Sequence, residues 1–344
     1  MAQVRTEDLR KLTKDILVCV GVPQEQADII ADTVVYAHTH GKETHGITRI
    51  PIYIRKISDS LMAADTKLIE MEKTPVMCVL DAQGGFGQIA AYKGMRFCME
   101  RAKEYGLALC GIRNSNNFGV AGYFTEMSTR ENMIGIIMSA SAPAIAPAGG
   151  KKPIFGTNPI SIAFPVPAGN APVILDMATS EVARGKIRMA EKNGEKIPYG
   201  WALDSEGQPT DDPAKALLGT MLPIGGYKGA GIAMAVDILA GLLTGNLFGG
   251  DIKPLNEPEV PSSHGHLLMA IDISKLMLYE EYLAKINALK KRMHECGDDG
   301  KVWIPGERSY TLASQSGDSV EIKDNLIKDM QSLADKFGIR RRLG

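Results

Sequence analysis

Apolar residues recur every three to four positions through the first 60 residues, then gather into short continuous runs. Leu9, Leu12, Ile16 and Leu17 follow the acidic start Thr6-Glu7-Asp8, and this spacing predicts an amphipathic helix over 6–20. Gly21-Val22-Pro23 breaks it. Pro23 opens a second helix on the stripe Ala27, Ile30, Val34 and Ala37, which Gly41 ends. A third helix is expected from about His45 to Leu61, with Ile47, Ile50, Ile54, Ile57 and Leu61 on one face. Strand-like runs then take over at 76–80, 107–112 and 134–138, separated by helical stretches at 88–104 and 119–131. Further strands are expected at 160–165, 173–175 and 265–274. A buried apolar helix is expected at 231–244, and helices at 277–295 and 322–337.

Strand–helix alternation of this kind marks an α/β fold, with α and β mixed. Residues 1–70 read as a helical unit packed with C-terminal helices in 310–344. Residues 71–309 read as an α/β region for cofactor and substrate. No internal repeat or low-complexity segment interrupts this order.

Composition narrows the function classes. The 39 Lys and Arg nearly balance 40 Asp and Glu, and the tightest basic cluster is Arg340-Arg341-Arg342, so a nucleic-acid partner is not expected. Five scattered cysteines without a Cys-x-x-Cys pair fit free thiols in a reducing cytoplasm. The N-terminus is polar and charged, and the longest apolar run, Gly229 to Gly245, is short for a bilayer and carries Asp237. No membrane association is expected.

The chemistry-bearing stretch is Lys42-Glu43-Thr44-His45-Gly46-Ile47-Thr48-Arg49. On a helix, four residues make about one turn, so His45 and Arg49 would share a face. An imidazole exchanges a proton near neutral pH, and a guanidinium grips a carboxylate with two parallel hydrogen bonds. The pair could therefore bind a 2-oxo or 2-hydroxy acid and move its hydroxyl proton. The plainer reading is a helix start capped by Thr44.

Other motifs are weaker alone. Gly85-Phe86-Gly87-Gln88-Ile89-Ala90 matches a dinucleotide fingerprint, but Asp81-Ala82-Gln83 intervene between the strand and the glycines and no acidic strand end follows. A tight turn is the better reading. Gly225-Gly226-Tyr227-Lys228-Gly229-Ala230-Gly231 leads into an apolar helix, where free backbone N–H groups and Lys228 could hold an anion. Close helix packing is the alternative. Asp176-Met177-Ala178 follows a strand, and Gly156-Thr157-Asn158-Pro159 is first of all a turn. The pairs His38/His40 and His264/His266 lack further ligands at metal-site spacing, so no metal is expected.

Together these motifs resemble one family, the malate/L-lactate dehydrogenase-like oxidoreductases that lack a Rossmann domain. The family includes ureidoglycolate and sulfolactate dehydrogenases and piperideine-carboxylate reductase. The likeness runs over nearly the whole chain and rests on Thr44-His45-Gly46-x-x-Arg49, Asn114–Gly119, Gly156–Pro159, Asp176–Ala178, Gly226–Gly229 and Pro305-Gly306-Glu307-Arg308. The resemblance implies a non-Rossmann NAD(P)-binding domain with a mixed sheet, and a homodimer with the active site near the subunit interface. It implies hydride transfer at C2 of a small 2-hydroxy or 2-oxo acid of the malate, lactate, sulfolactate or ureidoglycolate type. It further implies His45 as acid/base, with Thr44 as its relay. Arg49, Thr157 and Asn117 would meet the substrate. Asn117, Phe118, Gly119, Val120, Ala121, Ser141, Asp176, Met177, Ala178, Tyr227, Lys228, Gly306, Glu307 and Arg308 would meet the cofactor.

Two departures bear on that expectation. The family usually carries a histidine where this chain has Asn117, and an amide cannot relay a proton. His45 must then carry the proton chemistry alone, or the chain is a degenerate NAD(P)-binding protein. Some reductases of the family have an aspartate where this chain has Lys186, which argues against the alternative of a cyclic ketimine reductase. Arg308 could supply one charge to the 2′-phosphate of NADP while Glu307 opposes it, so NAD is favoured and NADP left open.

Overall fold

In the computed structural model, which describes residues 1–257, 259–298, 300 and 302–343, the chain ends meet. Strand β1 (Ala2–Arg5) leads to α1 (Thr6–Cys19), α2 (Gln24–Thr39), two 3-10 turns at Glu43–His45 and Ile47–Arg49, and α3 (Ile50–Ser58). Then come β2 (Ile69–Lys73), β3 (Met77–Asp81), α4 (Gly87–Tyr105), β4 (Leu107–Ser115), α5 (Ala121–Thr129), β5 (Met133–Ser139), β6 (Ile160–Phe164) and β7 (Val173–Met177). A smaller layer follows: α6 (Arg184–Asn193), β8 (Ala202–Leu203), α7 (Pro213–Leu218) and β9 (Thr220–Met221). Helix α8 (Tyr227–Val236) runs on as a π-helical segment, Asp237–Leu242. The chain closes with β10 (His264–Asp272), α9 (Tyr279–Glu295), α10 (Glu307–Ser316), β11 (Ser319–Ile322) and α11 (Asp324–Lys336).

Seven strands form the central sheet in the order β2-β3-β4-β10-β5-β6-β7. Only β3 and β4 pair in parallel, as their crossover helix α4 requires, and the other pairs are antiparallel. The sheet is therefore mixed. Helices α4 and α5 cover one face through Ala90, Met95, Cys98 and Phe124, which pack on Cys110, Ile112, Ile137 and Leu268.

A second core joins the two ends of the chain. Leu9, Leu12 and Ile16 of α1, Ile30 and Val34 of α2, and Ile50 and Ile54 of α3 pack with Val320, Ile322, Met330 and Ala334. Strands β1 and β11 clasp this unit, antiparallel, with Val4 opposite Val320.

Three expectations need correction. The helix read from His45 to Leu61 starts only at Ile50. Gly46 sits at φ −88°, ψ −143°, a non-helical conformation that splits the stretch into two short turns, and Pro51 lies in the first turn of the helix. A Cβ at position 46 would lie 2.6 Å from His38 Nδ1, so this break is also a close packing contact. The helix expected at 231–244 begins at Tyr227. It is not buried all round, for Ile232, Met234, Ile238, Leu242 and Leu243 are exposed. The stretch after β7, where the apolar spacing predicts no element, holds α6 and α7, and β1, β2, β11 and α10 likewise lie outside the expected elements.

Candidate active site

The Gly46 break changes how His45 and Arg49 meet. They do not project from one helix face as the spacing suggested. The chain folds back on itself, so that Arg49 Nε donates to the Thr44 carbonyl at 2.7 Å. That bond anchors the guanidinium near its base and leaves its two terminal nitrogens without a hydrogen-bond partner among the described residues. Thr44 Oγ1 lies 3.0 Å from His45 Nδ1 and fixes the ring. Burial, and then the positive charge of Arg49, push the imidazole down to about 4, while Asp176 pulls the other way. His45 is therefore neutral near pH 7 and able to accept a proton.

The loop after β4 comes to the same place. A Cβ on Gly119, at φ +85°, would lie 3.8 Å from the His45 carbonyl oxygen. Asn117 Oδ1 accepts from Gly119 N–H at 3.0 Å, which leaves the amide nitrogen free to donate. Phe118 turns the other way, into the core against Phe124 and His266, so only its backbone is available to a ligand. Val120 and Ala121 lead into α5, where Gly122 N–H donates to Asp176 Oδ2 at 3.2 Å.

Asp176, near the end of β7, is the hub of this wall. Its Oδ2 also takes Lys42 Nζ at 2.9 Å, joining residues 134 apart in sequence. Lys42, Val120, Gly122, Asp176 and Gly306 line a cavity of about 100 Å³, closed by Tyr36, His40 and Tyr310. Tyr36 stacks on His40 and donates to Glu126 at 2.8 Å. The cavity lies beside the His45–Arg49 turn, not around it.

Three loops are tied together by backbone bonds beyond Asp176. Thr179 N–H donates to the Thr157 carbonyl at 2.8 Å, and Ile224 N–H donates to the Thr179 carbonyl at 2.9 Å. Met177 and Ala178 are half-buried in this bundle. Ser141 is held by Asn158, whose Oδ1 accepts from Ser141 N–H at 3.0 Å and whose Nδ2 donates to the Ala233 carbonyl at 2.9 Å. Asn158 thus pins the Thr157 turn to α8. Past Ile224 the chain enters α8 through Gly225 and Gly226, both at positive φ, with Tyr227 and Lys228 exposed.

The 306–308 segment divides. Gly306, at φ +97°, packs on the Pro172 and Ile174 backbone at the cavity edge. Glu307 is committed to its own chain, to His294 at 2.9 Å, Lys290 at 3.4 Å and Ile304 N–H at 3.0 Å. Its charge is thereby neutralised locally, so the expected opposition to a 2′-phosphate does not arise from it. Arg308 is exposed.

The fingerprint-like turn at Gly85–Ala90 is structural. A Cβ on Gly87 would run into the carbonyl oxygen of Asn116, so the start of α4 is covered by the 116–118 backbone. His266 is structural too, with Nδ1 beside Ser139 Oγ at 2.9 Å and Nε2 beside the Asn116 carbonyl at 3.2 Å. Among the described residues no group of three His, Cys, Asp or Glu could hold a metal ion, and no helix is long and apolar enough to cross a membrane.

Lys42, Gly122 and Asn158 were given no role from the sequence. Lys42 and Asn158 lie inside the motifs Lys42–Arg49 and Gly156–Pro159, and the Gly122 contact is made by backbone, which leaves no compositional trace. His264 was read only as a possible metal ligand. It is buried beside Arg49, whose charge adds to burial in lowering the imidazole to about 4, and its Nδ1 has no partner.

The chain is similar to known proteins over nearly its whole length. The family model described as malate/L-lactate dehydrogenase matches residues 4–331. A malate/(S)-sulfolactate dehydrogenase of Methanothermus fervidus is 39% identical over 338 residues, covering 98% of each chain. A (2R)-3-sulfolactate dehydrogenase (NADP(+)) of Chromohalobacter salexigens is 37% identical over 319 residues, 92% of this chain and 94% of that one. The solved structure of a sulfolactate dehydrogenase from Methanocaldococcus jannaschii superposes with a TM-score of 0.92 at 36% identity, covering 98% of both chains.

Proposed function

The chain belongs to the malate/L-lactate dehydrogenase family, and from that premise we propose that its His45–Arg49 turn is the reacting centre of an NAD(P)-dependent 2-hydroxy-acid dehydrogenase. The reaction moves a hydride between nicotinamide and C2 of a small 2-hydroxy or 2-oxo acid. The observation that carries the residue roles is the fold-back of Arg49 onto Thr44. It sets two free guanidinium nitrogens beside a neutral imidazole.

Each residue then has a task. The terminal nitrogens of Arg49 grip the substrate carboxylate. The Thr44 hydroxyl holds His45 Nδ1, so Nε2 faces the hydroxyl, takes its proton in oxidation and returns it in reduction. Asn117 cannot relay a proton, but its free amide nitrogen can donate to substrate or nicotinamide. Bound NAD(P) supplies the hydride acceptor or donor. The chain offers it the Gly119–Gly122 and Asp176–Ala178 wall, Ser141, the Gly306 edge and the open start of α8 at Tyr227 and Lys228. Both cofactor forms, NAD and NADP, fit this reading.

The same reading includes a homodimer in a reducing, cytoplasmic setting. Met234, Ile238 and Leu242 repeat every fourth residue and are about half exposed, giving a helix face apolar enough to need covering. All five cysteines are free.

The deciding experiment is a panel of 2-hydroxy acids with NAD or NADP, followed by absorbance of the reduced nicotinamide. His45→Gln is expected to lower kcat by about 100- to 10,000-fold with little change in melting temperature. Wild-type turnover in that variant would remove His45 from the role.

A further inference from the structure

The Thr157 turn hangs on a carboxylate that lacks a cationic partner. Asp237 opens the π-helical segment that continues α8 and is buried, flanked in sequence by Val236 and Ile238. Gly249 N–H donates to its Oδ2 at 2.8 Å, and Asn158 Nδ2 donates to its Oδ1 at 3.4 Å. Among the described residues no cation meets it, and burial pushes its carboxyl up, against the pull of those two bonds. An apolar side chain would fill the place at lower cost. π-Helical turns are themselves rare and gather at functional sites.

The carboxylate settles which way Asn158 faces. Asn158 is fully buried at φ +30°, a strained backbone that its side chain must hold in place. Its Nδ2 meets two acceptors, Asp237 Oδ1 and the Ala233 carbonyl at 2.9 Å, and its Oδ1 accepts from Ser141 N–H at 3.0 Å. With the amide turned over, its oxygen would face a carboxylate and a carbonyl, and its nitrogen the Ser141 N–H. Asn158 N–H in turn donates to Ser141 Oγ at 3.3 Å.

The neighbouring Thr157 is locked by its backbone. Its carbonyl accepts from Thr179 N–H at 2.8 Å and from Thr179 Oγ1 at 2.9 Å. Its side chain is half-buried, and among the described residues its hydroxyl makes no hydrogen bond. A fixed backbone with a free hydroxyl is how a rigid support presents a group to a ligand.

We propose that Asp237 is a positioning residue: it fixes the Asn158 amide, and through it presents the Thr157 hydroxyl to the substrate acid. This rests on the reaction proposed above and adds a residue that touches neither substrate nor cofactor. No bond forms or breaks at Asp237, and its whole effect passes through Asn158.

Asp237→Asn is the informative variant. Its one oxygen keeps the short bond to Gly249 N–H, and its NH2 then faces Asn158 Nδ2, so the Asn158 amide turns over. kcat/KM for the best 2-oxo acid is expected to fall about tenfold, the worth of one hydrogen bond, with little change in Tm. Thr157→Val should cost a similar factor. The double variant should be no worse than Thr157→Val alone, because the first change has nothing left to act through. Asp237→Ala, which frees the amide without opposing it, serves in the same cycle if Asp237→Asn does not fold. Losses that multiply, or no loss on changing Asp237, would overturn the proposal and leave the dehydrogenase reading standing. Hydrogen exchange decides the hold on Asn158 without turnover. The Ser141 amide should exchange about tenfold faster in Asp237→Asn, while amides of β4 and β10 keep their rates. An unchanged Ser141 rate would refute the proposal. If no 2-oxo acid turns over with either cofactor, the reaction reading fails, and the exchange rates still support or refute the role of Asp237.

Discussion

Two helices of this chain start at glycine-rich turns, and they are put to opposite uses. At the start of α4, Gly87 lies against the Asn116 carbonyl, Phe86 is fully buried, and the 116–118 backbone seals the helix end. At the start of α8, Gly225 and Gly226 have no neighbour that a Cβ would meet, and Lys228 is exposed. In both the glycines admit a sharp turn. What differs is the neighbour. A helix end already covered by its own chain cannot take an anion, whereas one left open with a lysine beside it can. A glycine pattern therefore carries less meaning than the element that lies across it.

The largest effect that tests this contrast is on stability. Gly87→Ala places a methyl on backbone that cannot move aside, and should cost about 3 kcal/mol or more in denaturant unfolding. Gly226→Ala, at φ 64°, should cost about 1 kcal/mol. Equal costs would erase the distinction between sealed and open ends.

The sealed side also carries an acid sensitivity. His266, packed under Phe118 and bonded to the Asn116 carbonyl, is pushed down to about 3 by burial and then by His264. Its folded value lies below the unfolded value near 6.5, so the unfolded chain binds the extra proton first. Stability is then full above pH 6.5 and falls as the pH drops toward 3, by about 1.4 kcal/mol per pH unit for one proton. His266→Gln should flatten that slope by one proton in unfolding curves taken between pH 6.5 and 4, whatever its cost at neutral pH. An unchanged slope would mean that this imidazole is charged in the folded protein.

The smallest effect belongs to the open side. Lys228→Ala should raise the KM for cofactor about tenfold, about 1.4 kcal/mol, and leave Tm unchanged. A loss of stability without a change in KM would make Lys228 a packing residue, like its counterparts at α4.

Legibility followed the range of the interactions. Helices α1, α2 and α4 and most sheet strands show in the sequence because their apolar spacing is local and long enough to read. The 3-10 turns around His45 do not, since one glycine and its contact with His38 decide against a helix that the isoleucine stripe favours. Helix α6 is missed because only Ile187 and Ala190 of its ten residues are buried. At the site, the motifs and their order identified the loops, but not the partners that join them. Lys42 with Asp176, and α6 on Thr44, are contacts across more than a hundred residues. No spacing rule reports them.

The clasp between β1 and β11 sets a timetable for the newborn chain. Ala2 finds its partner in Ile322, and the terminal amine its partner in Asp324. The two strands lie more than 300 residues apart in sequence, so all the intervening chain must leave the ribosome before β1 can pair. Until then α1 to α3 carry an apolar face with no lid. The segment that holds His45 is made early, and the core beneath it is among the last to close.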